Sequence, residues 1–142
     1  MHCIYDLVKG RKTHEVHQEQ TVLDVARLMV EHNIGAVPVV REGNLIGIFS
    51  ERDLLKRVTA EGLDPATTRV AEVMTPEPLV VGPGESVEQC MVLMKQHSFR
   101  HLPVCERGRM LGIVSLRDIM LHDIEEKDDE IHTMRRYIET AS

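Results

Sequence analysis

The sequence predicts an α+β fold in which two β-α-β-β-α units pack through their sheets about a pseudo-twofold axis. Three observations carry this. First, the chain repeats itself: Ile34 to Leu55 and Phe99 to Met120, 65 positions apart, share eight of 22 residues. Second, within each copy the apolar residues switch from helical spacing to strand-like runs and back. Third, a unit of about 65 residues buries only about 60% of its unfolded surface, so each copy needs the other to complete a core.

The elements follow in order. A short strand near Glu15 to His17 opens the first unit. Val22, Val25, Ala26 and Met29 fall at helical spacing, predicting a helix from Val22 to Glu31 with Thr21 as N-cap and Asp24 in its first turn. Ala36 to Val40 and Leu45 to Phe49 are apolar runs separated by the turn Glu42-Gly43-Asn44, a hairpin signature. Ser50 can cap a second helix running from Glu51 toward Ala60. The second unit repeats this order: a strand at Leu79 to Val81, a helix capped by Ser86, a hairpin from Leu102 to Val114 and a helix from Leu116. Val70 to Met74 is matched upstream by Ile4 to Val8, so the repeat reaches almost to residue 1. The expected divisions are 1–62 for the first unit, 63–121 for linker and second unit, and 122–142 for an acidic helical tail.

Composition excludes several functions. Of the net charge of −6, the 122–142 tail carries −4. No basic stripe suits duplex nucleic acid, and with two Phe, two Tyr and no Trp there is no base-stacking platform. No run approaches the length of a membrane span, and residues 1–12 lack the apolar core of a signal peptide, which points to the cytoplasm. Cys3, Cys90 and Cys105 are an odd set, read as reduced thiols. His14-x-x-His17 would point to opposite faces of a strand with no further ligand spaced to help, so no metal site is expected. No Gly-rich phosphate loop, metal-binding carboxylate pair or nucleophile–base motif is present, and no catalytic residue is assigned.

What the copies share most closely is polar. Gly47-Ile48-Phe49-Ser50-Glu51-Arg52-Asp53 and Gly112-Ile113-Val114-Ser115-Leu116-Arg117-Asp118 each place a hydroxyl, a guanidinium and a carboxylate where a strand runs into a helix. The free N–H groups of such a junction suit an anion such as phosphate. The carboxylate in the first turn can accept from vicinal ribose hydroxyls, and the arginine can meet phosphate. Gly47 and Gly112 permit close backbone approach. Ser-x-x-Asp is also an ordinary capping box, and that structural reading stands beside the ligand reading.

These residues, with Val73 to Pro76 and the apolar-Pro-Val hairpin strands, resemble a tandem pair of CBS domains, the family named after cystathionine β-synthase. The likeness spans Ile4 to Leu121. It implies adenosine ligands, AMP, ADP or ATP first, with NAD or S-adenosylmethionine ranked behind them. Carried over by motif, Asp53 and Asp118 hold ribose, and Ser50, Arg52, Ser115 and Arg117 serve phosphate or ribose. Thr75, Leu79 and Phe99 wall the Asp53 cleft, and Lys9, Ile34 and Gly35 the Asp118 cleft. Arg100 and His101 match phosphate-contacting positions where the first copy has Gly35 and Ala36, so the clefts are expected to differ. The resemblance also implies a homodimer, a disc of four units, acting on an effector protein; Ile124, Ile131 and Ile138, seven apart, leave the tail as a subunit contact or a solvated helix. The resulting expectation is a non-enzymatic, energy-sensing regulatory module. The rivals are a constitutive docking or dimerisation module with unused clefts, and an enzyme of nucleotide metabolism.

Overall fold

The computed structural model describes residues 2–141. One mixed sheet runs through both units in the order β1 (Val16–His17), β2 (Ala36–Arg41), β3 (Asn44–Ser50), β6 (Arg109–Ser115), β5 (His101–Glu106), and β4 (Thr75–Pro76) pairs with β3. The hairpins β2-β3 and β5-β6 have matching registers, Pro38 opposite Ile48 and Pro103 opposite Ile113, and each carries an irregularity just after the conserved valine. Both turn on two residues of positive φ, Glu42-Gly43 and Arg107-Gly108, the conformation whose twist matches that of the flanking strands. The units meet where Asn44 pairs with Arg109.

The helices expected after Thr21, Ser50, Ser86 and Ser115 form, and two short ones appear in the segments that precede each copy. α1 is Tyr5–Val8 and α2 is Val22–His32; Thr21 Oγ1 accepts from the Asp24 N–H at 3.2 Å. α3 (Glu51–Asp53) continues as a π-helical segment, Leu54–Thr59, that ends before Gly62 at φ +70°. α4 is Val70–Val73 and α5 is Val87–His97, capped by Ser86. In the second unit the position of Gly62 is held by Lys127, and α6 runs unbroken from Leu116 to Ala141 through the start of the expected tail. The strand expected at Leu79 to Val81 shortens to one bridge, Val81 with Val104. Pro78 and Pro83 lack the N–H that a longer ladder would use.

The cores are exchanged. One cluster joins Val16, Val25, Val37, Phe49 and Val58 of the first unit to Val70 and Val73 from the start of the second. The other joins Cys90, Met94, Leu102, Val114 and Ile119 of the second unit to Ile4 and Val8 from the start of the first. Gly112 exists for this contact, since a Cβ there would lie 2.8 Å from Val8 Cβ. Gly47 does the same for α4, where a Cβ would overlap Met74 and approach the Thr75 carbonyl to 2.9 Å. The close approach anticipated at these two glycines is therefore made by protein. Cys90 and Cys105 are buried and unbridged, and burial, aided by Glu85, pushes the Cys90 thiol up to about 11.

Candidate functional site

Both Ser-x-x-Asp junctions form reciprocal caps. Asp53 Oδ2 accepts from the Ser50 N–H at 3.0 Å, and Ser50 Oγ accepts from the Asp53 N–H at 3.3 Å. Asp118 Oδ2 accepts from the Ser115 N–H at 2.8 Å, and Ser115 Oγ from the Asp118 N–H at 3.0 Å. Beyond the caps the two sites diverge.

At Asp53 the carboxylate is already engaged by protein. Thr75 Oγ1 donates to Oδ1 at 3.2 Å and Arg57 Nε lies 3.5 Å from the same oxygen. Arg57 Nη1 also donates to the Met74 carbonyl at 2.8 Å, which holds the β4 segment in place. The Asp53 side chain is only 10% exposed. Leu79 and Phe99 take no part in this contact set; Phe99 instead stacks on His97 with ring centroids 5.3 Å apart. Arg52 is exposed on α3.

Asp118 opens onto a cavity of about 640 Å³ built from both units. Ile34, Gly35, Ala36 and Glu51 come from the first unit, and His101, Ser115, Arg117 and Asp118 from the second. The segment after α1 adds Arg11, Lys12, Thr13 and His14. Arg11 Nη1 sits 2.9 Å from Asp118 Oδ2, and the Asp118 side chain remains 24% exposed. Burial alone would push the Asp118 carboxyl up, but hydrogen bonds from Arg11 and Ser115 outweigh it and hold it below the ordinary aspartate range. Chemically, the cavity offers a carboxylate for vicinal hydroxyls, three fixed cations (Arg11, Lys12, Arg117) for phosphate, and apolar walls at Ile34, Pro38 and Ile113 for a base.

Of the expected residues, Ile34, Gly35, His101, Ser115, Arg117 and Asp118 meet in this cavity. His101 and Gly35 face each other directly, since a Cβ on Gly35 would lie 3.5 Å from His101 Cε1. Lys9 stands outside the lining, exposed and 3.5 Å from Asp6 Oδ1. Arg100 is exposed, and its carbonyl accepts from the Leu116 N–H at 2.8 Å. Arg11, Lys12 and Glu51 were missed. The basic run Lys9-Gly10-Arg11-Lys12 was the signal, but it has no basic counterpart before the second copy and so drops out of a search for shared residues.

Burial pushes the His101 imidazole below its ordinary value of 6.5; Asp118 and Glu51 oppose this and Arg100 adds to it. The folded chain therefore binds fewer protons than the unfolded chain below pH 6.5, and stability there rises with pH. In His101→Gln the melting temperature is expected to depend less steeply on pH across that window. His14, lowered first by burial and then by His32 and Lys12, contributes to the slope in the same direction and is untouched by the substitution. Melting curves on either side of pH 6.5 measure the difference, and an unchanged slope would contradict the assignment.

Residues 11–60 and 70–125 each match the family model for the CBS domain. The chain belongs to the CBS domain family. This CBS pair is 40% identical over 109 residues to the CBS domain-containing protein YhcV of Bacillus subtilis, covering 77% of each chain. It superposes with a TM-score of 0.82 on a putative signal-transduction protein with CBS domains from Burkholderia ambifaria, at 32% identity, covering 87% of this chain and 95% of that one. A solved structure of CBSX2 in complex with AMP is similar at 26% identity and a TM-score of 0.77, covering 89% and 99% of the two chains. Among the described residues of this CBS pair, no helix is long and apolar enough to cross a membrane.

Proposed function

We propose that this CBS pair is a non-enzymatic regulatory module that binds one adenine nucleotide, AMP, ADP or ATP, per chain in the Asp118 cleft. The observation that carries the reading is the difference between the two aspartates. Asp53 is closed over by Thr75 and Arg57, whereas Asp118 lines a cavity with cations and apolar walls, and both of its caught hydrogen bonds fall on Oδ2. A relative crystallised with AMP supports the ligand class.

Ligand then biases the arrangement of the pair only by its differential affinity for the two states. The signal passes to an effector protein in the cytoplasm. A second copy pairs along α6, whose exposed Ile124, Ile131 and Ile138 recur every seven residues with Met134 between the last two. Isothermal titration with AMP, ADP and ATP, followed by chromatography of the nucleotide, tests the proposal. One bound nucleotide per chain, recovered unchanged, is expected. Absence of binding would favour the constitutive docking module, and turnover would make the protein an enzyme.

A further inference from the structure

A second cluster of polar side chains lies where the N-terminus meets α6. His122 and Glu126 are four residues apart and so share one face of α6. His2, just ahead of α1, reaches the same point: its Nε2 is 2.7 Å from Glu126 Oε1, and His122 Nε2 is 3.5 Å from that same oxygen. The two imidazole rings meet edge to face with centroids 4.8 Å apart. One potential ligand atom from each residue lies within 4.8 Å of the other two.

We propose that His2, His122 and Glu126 form a zinc site. Tetrahedral zinc with bonds of about 2.0–2.1 Å separates its ligand atoms by roughly 3.4 Å. The observed separations bracket that value, and all three side chains are sufficiently exposed to adjust. Two imidazoles and one carboxylate suit zinc better than magnesium or calcium, which favour all-oxygen sites. Three protein ligands leave a position for water. A second feature points the same way. Asp6 Oδ2 lies 3.8 Å from His2 Nδ1, on the opposite side of the ring from Glu126, within a small rotation of the position from which an outer carboxylate orients a metal-bearing histidine. The ion would fasten the segment ahead of α1 to α6.

The test is a cobalt(II) titration of the untagged, reduced full chain, followed by zinc competition against a colorimetric chelator. One ion per chain with the visible absorption of tetrahedral cobalt is expected. His122→Gln and Glu126→Gln should abolish that absorption, and Asp6→Asn should weaken zinc by about tenfold or more. His14→Gln, which touches the separate stacked pair with His32, and Cys3→Ser should leave it unchanged. Saturating zinc should raise the melting temperature of the wild type but not of His122→Gln, because binding to the folded state alone stabilises it. Absence of saturable binding, or binding that persists in a His2→Gln/His122→Gln double variant, would overturn the site. So would binding that disappears with Cys3→Ser.

Discussion

Asp118→Ala is expected to weaken AMP binding by about tenfold to a hundredfold, the equivalent of one lost charge-assisted hydrogen-bonding group, while the fold survives. The substitution removes the carboxylate from an open cleft, keeps Ser115 Oγ as acceptor for the helix N–H, and leaves the Ser115 N–H and the Arg11 guanidinium to water. Asp53→Ala should do the opposite. There the lost carboxylate leaves the Ser50 N–H and the Thr75 hydroxyl without their acceptor in a part-buried site. A loss of about 1–3 kcal/mol follows from the missing carboxylate half of the capping box and the unsatisfied donors, or roughly 3–10 °C in melting temperature for a chain of this size. Nucleotide affinity of the remaining folded protein should stay near that of the wild type. Titration calorimetry and thermal melts on both variants read the two effects separately. If Asp53→Ala abolished binding in a stably folded protein, the nucleotide would belong in the other cleft.

Ile4→Ala is expected to destabilise the chain by about 2–4 kcal/mol, the usual range for emptying a fully buried aliphatic site. Nothing about the place of Ile4 near the N-terminus suggests such an effect. Yet the side chain is wholly buried, in the same cluster as Leu102 and Ile119. Urea unfolding measures the loss, and double-mutant cycles locate it. Ile4→Ala should couple to Leu102→Ala, which shares its cluster, and add simply to Phe49→Ala, which lies in the other. Coupling to Phe49 instead would mean that each leading segment packs on its own repeat.

Much of this architecture was legible in the sequence. The hairpins announced themselves by apolar runs around Gly43 and Gly108, and the caps at Thr21, Ser50 and Ser86 by hydroxyls placed ahead of helical spacing. These are local signals, and local hydrogen bonds satisfy them. The exchange of leading segments was not legible, because Val8 and Met74 look equally apolar whichever sheet they cover; the glycines beneath them were read as space for ligand. Unequal clefts were expected from Arg100 and His101, whereas the difference in how the two carboxylates are engaged has another source. That source is a pair of contacts across long sequence separations, Thr75 with Asp53 and Arg11 with Asp118. Repeat comparison favours what the copies share. Thr75 and Arg11 are not shared; Thr75 entered only through the family resemblance and Arg11 not at all, and they engage the two carboxylates differently.

The exchanged segments also set an order of events as the chain is made. The first core lacks Val70 and Val73 until the linker has emerged, so the N-terminal unit cannot close when its own residues are complete. Ile4 and Val8, made before either hairpin, have no place to pack until β6 and the start of α6 exist. Closing contacts over such separations is slow because the loop entropy must be met before the packing is gained. The segment ahead of the first repeat is therefore expected to be among the last to settle, after elements made much later than itself.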